Sequence, residues 1–86
     1  MFKKSLAVLI LSFAPVAAHA APAVGDMVGT GPEEAKAALA RAGCTVREFA
    51  AEDGKIEAKC TDASNALLEV YIDPKSGKIT KVKSGD

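Results

Sequence analysis

The sequence predicts an α+β domain, with one N-terminal helix packed on a three- to four-stranded antiparallel β-meander. Three observations predict it. The apolar residues switch at Gly43 from a helical period to strand-like alternation. Two strong turn signals, Asp53-Gly54 and Asp73-Pro74-Lys75-Ser76-Gly77, separate strand-like runs. The length allows nothing larger, because the chain has 86 residues and the first twenty read as a leader. The remainder suits one small domain and excludes two.

The leader has three parts. Met1-Phe2-Lys3-Lys4 is a short basic start, and an apolar stretch from Ser5 to Val16 comes next. Ala18-His19-Ala20 then gives the small-x-small pattern of a cleavage site, so residues 1–20 are expected to be a signal peptide cut after Ala20. An uncleaved membrane anchor is the weaker reading, because a span needs roughly 20 apolar residues. No cysteine stands at the cleavage site to carry a lipid. The expected location is periplasmic or secreted, with no stable membrane anchor after cleavage. Formal charge is zero, with 11 basic and 11 acidic side chains. Losing Lys3 and Lys4 with the leader leaves nine basic against eleven acidic. A nucleic-acid partner is excluded, since such binding needs a basic excess that releases counterions.

Residues 21–29 read as a loose N-terminal arm, with Val24, Met27 and Val28 able to pin part of it. The domain proper is expected over 30–83. Thr30 can cap a helix, with Glu33 three residues on completing a capping box. Pro32 is tolerated in the first turn, and Glu33 and Glu34 suit the positive helix end. Ala35, Ala38, Leu39 and Ala42 recur on one face, and Gly43 ends the helix, which is predicted over 31–42. Its buried face is nearly all alanine, so it can pack close to a sheet.

Residues 45–52 and 55–61 then read as a hairpin about Asp53-Gly54, where Gly supplies the positive φ. Centring the turn there pairs Phe49 with Ala58 and Ala51 with Ile56 on one face. Glu48 and Lys59 meet on the other. Val46 falls out of phase with Phe49, which predicts a bulge near Arg47 or Glu48. Asp62-Ala63-Ser64-Asn65 is a turn cluster. Leu68, Val70 and Ile72 alternate with Glu69, Tyr71 and Asp73. The Asp73 to Gly77 turn leads into a short last strand over 78–83 holding Ile79 and Val82.

Export decides how the two cysteines are read. In an oxidising compartment Cys44 and Cys60 are expected to pair. The loop they close, about 17 residues, is worth roughly 3 kcal/mol in the chain-entropy model. A redox-active pair is the alternative. It is disfavoured because such pairs usually sit as C-x-x-C with a lowered thiol pKa, whereas Cys44 follows a helix C-terminus, whose dipole raises a thiol pKa. The predicted bulge would swing Cys44 toward the face that carries Cys60.

The order of parts resembles the PepSY domain family in its small, single-domain exported form. The resemblance rests on the capped helix, Ala42-Gly43-x-Thr45-Val46 and Glu52-Asp53-Gly54-Lys55-Ile56-Glu57. Its most specific piece is Glu69-Val70-Tyr71-Ile72-Asp73-Pro74-Lys75-Ser76-Gly77-Lys78-Ile79. It covers residues 25–83. PepSY domains occur in propeptides of thermolysin-like metallopeptidases, in membrane-bound envelope proteins and as free-standing secreted proteins. The resemblance implies a non-enzymatic module that binds and restrains peptidases or otherwise regulates protease activity outside the cytoplasm, and it brings no catalytic residues to this chain. The Cys44/Cys60 pair departs from the general family pattern, and any peptidase target is expected in trans.

The chemistry of the residues agrees with a non-enzyme. The one histidine, His19, leaves with the leader, so a His-activated nucleophile and a His-based zinc site are both excluded. Glu33/Glu34 belong to a helix end and Glu52/Asp53 to a solvated turn. Neither pair has the apolar setting that splits carboxyl pKa values. No cofactor or metal is expected. Lys75, Lys78, Lys81 and Lys83 form a basic stretch. Lysines on an edge strand discourage edge-to-edge pairing, while the alternative is a patch for an acidic partner or anionic lipid. Tyr71 is the one large side chain expected on the face away from the helix, and tyrosine is a favoured interface anchor. The candidate binding surface is therefore Tyr71, Glu69, Lys78 and Lys81, for a peptidase or peptide. The alternative function is a structural or small-ligand-binding periplasmic protein with no peptidase target.

Overall fold

The computed structural model describes residues 21–85, and the signal peptide expected over 1–20 lies outside the described residues. Helix α1 spans Pro32–Arg41, succeeded by strands β1 (Thr45–Glu52), β2 (Lys55–Thr61), β3 (Leu67–Ile72) and β4 (Ile79–Ser84). The strands form one antiparallel sheet in the order β1-β2-β3-β4, so the meander has four strands. The helix lies mid-chain rather than at the N-terminus, because residues 21–31 come first and are built into the structure.

Helix α1 starts one residue later than the Thr30/Glu33 pair predicts. Gly31 is the N-cap, with extended backbone at φ −109° and ψ 155°. The reason is Pro32, which disfavours helical geometry in the residue before it and fits the first helical position. The carboxylate three residues past the cap is thus Glu34, whose Oε1 accepts the Gly31 N–H at 3.1 Å. The C-terminal end agrees with the sequence. Gly43 has φ 84° and donates to the Ala40 carbonyl at 2.9 Å, while Cys44 donates to that of Leu39 at 2.9 Å. Those two bonds make a Schellman stop and turn the chain straight into β1.

The helix buries Ala35 and Leu39. Leu39, with no exposed surface, is its main anchor, since burying a leucine is worth about 1.5–3 kcal/mol. Opposite it lie Cys44, Ala58, Cys60, Val70, Ile72 and Ile79, flanked by Val46, Phe49, Ile56, Leu68 and Val82. Apart from Cys44, which precedes β1, these strand residues share one sheet face, by alternation in β2 and β3 and through a bulge in β1 and in β4.

The β1–β2 register agrees with the sequence, with Phe49 opposite Ala58, Ala51 opposite Ile56 and Glu48 opposite Lys59. The register shifts between Val46 and Glu48, which is the expected bulge with Arg47 as the extra residue. Asp53 and Gly54 both take positive φ, 47° and 77°, the signature of a type I′ hairpin turn. Beyond the bulge Val46 faces Cys60, and Cys44 and Cys60 are bonded, with Cα atoms 5.3 Å apart and both side chains buried.

Within the expected arm, residues 25–29 are tied to the end of the β3–β4 turn and the start of β4. Gly25 donates to the Ile79 carbonyl at 2.8 Å and Ile79 to that of Asp26 at 2.9 Å. Val28 and Gly29 donate to the Gly77 carbonyl at 2.8 and 3.2 Å, and Met27 bridges to Lys78. Of the three apolar pins expected, Val28 is buried, while Val24 and Met27 stay exposed. The segment is thus held mainly by backbone hydrogen bonds to the start of β4, which hydropathy does not reveal.

Candidate functional site

The sheet face away from α1 is built in rows that run across the strands. Glu48 opposes Lys59, Lys59 opposes Glu69, and Glu69 opposes Lys83, giving alternating charge over all four strands. Lys83 Nζ stands 3.7 Å from Glu69 Oε1. The next row runs Ala50, Glu57, Tyr71, Lys81. The Lys81 ammonium lies 5.4 Å from the centre of the Tyr71 ring, within cation–π range. Opposite charges side by side satisfy one another across a sheet, so this face carries no large field of one sign.

Of the predicted surface residues, Tyr71, Glu69 and Lys81 are brought together. Lys78 is not with them. It closes the β3–β4 turn, where its carbonyl accepts the Asp73 N–H at 2.9 Å and its own N–H reaches Ser76 Oγ at 3.2 Å. A bulge between Ile79 and Lys81 places Lys81 opposite Tyr71 instead. The sequence pattern did not reveal Glu57, which is only 6% exposed although charged. It sits between Ala50 and Tyr71, and the bulk of that neighbouring ring was the available signal. The Tyr71 phenol is held above its ordinary pKa, first by desolvation and then by the negative charges of Glu57, Glu69 and Glu52.

Two aspartates organise the loops around the sheet. Asp62 Oδ1 accepts the N–H groups of Ser64 and Ala66 and the Ser64 hydroxyl, each at 2.9 Å. The Ala66 and Ser64 bonds pull the Asp62 carboxyl below its usual pKa. Asp73 Oδ1 accepts the Lys75 N–H at 2.8 Å and the Ser76 N–H at 3.4 Å. Its carboxyl is likewise lowered, chiefly by the Lys75 bond. These are turn-building carboxylates that spend their acceptors on backbone.

A second feature lies on the helix side. Between the N-terminal end of α1 and the β1–β2 hairpin is a cleft of about 210 Å³. Pro32, Ala35, Phe49, Ala51, Ile56 and Ile72 are among its walls. Ala50 also lines it, although its side chain belongs to the opposite sheet face, so the cleft reaches the backbone of β1. Phe49 and Ile56 remain half-buried there. The sequence pattern places them with Ala51 and Ala58 on one face of the hairpin. A ten-residue helix covers too little of the sheet to close that face.

With this architecture in view, a family model described as peptidase propeptide and YPEB domain, PepSY, matches residues 4–83. The chain belongs to the PepSY family. The resemblance drawn from the β3–β4 hairpin is thereby borne out over almost the whole sequence. No curated protein and no solved structure matches the chain. PepSY domains serve as peptidase propeptides and regulatory modules and are generally non-catalytic. Among the described residues, no group of three or more His, Cys, Asp or Glu side chains could hold a metal ion. No helix among them is long and apolar enough to cross a membrane.

Proposed function

We propose that this PepSY chain is a non-enzymatic exported binding module that regulates or inhibits peptidase activity in the cell envelope. The observation that carries the reading is the family match over residues 4–83. Residues 1–20 act as a cleaved signal peptide, and the protein works in the periplasm or outside the cell, where PepSY domains are typically found. The Cys44–Cys60 bond suits that oxidising setting. Tyr71, Glu69 and Lys81 offer a rigid, charge-balanced surface, with Lys78 at its turn end.

The test is capture from envelope extract on the oxidised protein, paired with a protease assay of the same extract. A peptidase is expected among the retained proteins, and added protein should change its rate. An extract that yields no peptidase and whose proteolysis is unaltered by added protein would overturn the proposal.

A further inference from the structure

The two edges of the sheet are not equivalent. The outer edge of β4 is occupied at its start by residues 25–29, through the bonds that Gly25, Asp26 and Val28 make with Gly77 and Ile79. Among the described residues, no strand pairs with the outer edge of β1. In a two-residue hairpin the pair flanking the turn, here Glu52 and Lys55, exchanges both hydrogen bonds. Alternation then leaves the N–H and C=O groups of Phe49 and Ala51 pointing outward. Those same two residues line the apolar cleft, and Ala50 between them reaches it as well. A strand added to this edge would therefore bond to Phe49 and Ala51 and send the side chains opposite them into the cleft.

The charges on the other face decide what such a strand must carry. Glu48, Ala50 and Glu52 face away from the cleft. Glu48 has Lys59 on its β2 side, and Glu52 has Lys55. Toward the free edge neither has a counterpart among the described residues. A second copy of this chain fits badly. Antiparallel pairing about Ala50, which overlaps the whole bulge-free stretch Glu48 to Glu52, would set Glu48 against Glu52 of the other copy twice, and like charges directly opposite are destabilising.

We infer that the β1 edge and the adjoining cleft form a docking site for an extended peptide segment of the pattern basic, apolar, any, apolar, basic. The two basic side chains lie opposite Glu48 and Glu52, and the two apolar ones enter the cleft beside Phe49 and Ala51. The inference deepens the binding-module reading by naming the edge, the face and the chemistry of the partner.

The experiment is an NMR titration of ¹⁵N-labelled protein purified after expression from its full sequence. The probe is acetyl-Thr-Lys-Leu-Thr-Val-Lys-Thr-amide, and the control carries Glu at both Lys positions. Saturable amide shifts are expected at residues 47–52 and along the cleft, with the Glu peptide weaker by roughly tenfold. Ala51→Pro removes only an outward-pointing donor, which an edge strand tolerates. That variant should keep its melting temperature within a few degrees and lose the peptide. The reversed pair Glu48→Lys with Glu52→Lys should prefer the Glu peptide.

Absence of shifts at millimolar peptide, shifts centred on Tyr71 or β4, equal binding of both peptides, or a concentration-dependent dimer occupying β1 would each overturn the inference. Should Ala51→Pro fail to fold, the charge-reversed pair still decides the matter. Capture of a peptidase that Ala51→Pro leaves unchanged would sink this site while the regulatory reading stands. Peptide binding without any captured peptidase would do the opposite.

Discussion

The two outer hairpins of the meander carry similar turn chemistry and live in different surroundings. Gly54 and Gly77 have nearly the same left-handed φ, 77° and 76°, and each lies in a turn that includes an aspartate. A Cβ at Gly54 would meet nothing within 4 Å, whereas one at Gly77 would come within 2.8 Å of the Gly29 backbone. The β1–β2 hairpin is held at the end away from its turn by the disulfide between Cys60 and Cys44. The β3–β4 hairpin is held at its turn by residues 25–29, which bond to Gly77 and Ile79. One is stapled covalently and leaves its turn and outer edge exposed. The other is clamped by backbone and loses part of its edge. The lesson is that a glycine at the same left-handed φ serves a free-standing turn in one place and a docking point in the other.

Breaking the staple should have the largest effect. Replacing Cys44 and Cys60 with Ala is expected to cost about 2–4 kcal/mol, a fall in melting temperature on the order of 10–25 °C for a domain of this size. Thermal melts of wild type and double mutant, with mass spectrometry before and after reduction, measure it. A double mutant that melts with the wild type would show that the helix exit and β2 hold together unaided.

Breaking the clamp comes next. Gly77→Ala adds a left-handed alanine and a contact with backbone that cannot swing away, and should cost about 2–3 kcal/mol. Gly54→Ala meets only the conformational term, about 1 kcal/mol. Urea melts of the two variants side by side test the comparison directly. Equal losses would mean that residues 25–29 add nothing to the β3–β4 turn.

The acid limb of stability sharpens the contrast further. Asp62 and Asp73 have carboxyl pKa values below the ordinary one, so the folded chain holds fewer protons there than the unfolded chain. Their contribution is fully present above the unfolded value near 3.9 and is lost as pH falls through the folded values. Asp73→Asn or Asp62→Asn should make denaturant midpoints less sensitive to pH below about 4. An unchanged pH profile in both variants would remove the two turns from the account of acid unfolding.

The smallest effect is at Tyr71. Its phenol titrates above the ordinary value chiefly through desolvation, with Glu57 the next cause. Glu57→Gln should lower the midpoint of the phenolate absorbance change without returning it to the unperturbed range. No movement would mean that Glu57 and the phenol do not sense each other.

Most of the fold was legible because its signals are local. Apolar period, a Gly stop and Asp-Gly turn chemistry each act over a few residues, so α1, the β1–β2 register and a bulge near Arg47 or Glu48 could be read directly. The helix cap was missed by one residue because the constraint of Pro32 on its predecessor outweighs the Thr30 side chain. The candidate surface was only partly legible. Tyr71 and Glu69 share a face by alternation, but a bulge after Ile79 is what brings Lys81 opposite Tyr71, while Lys78 stays in the turn. Glu57 was missed because its burial comes from a neighbouring strand.

By itself, the sequence determined the order of elements, the face that β1, β2 and β3 turn to the core, the pairing of Cys44 with Cys60 and the family resemblance. Each comes from spacing along the chain or from a motif. Only the tertiary structure decided that residues 25–29 clamp Gly77, that β4 is partly covered while β1 is open, and that an apolar cleft reaches the β1 backbone. Those features depend on which distant backbones come within hydrogen-bonding distance and on how much of the sheet a ten-residue helix can cover. Side-chain pattern encodes a face. It does not encode the shape left over when the elements meet.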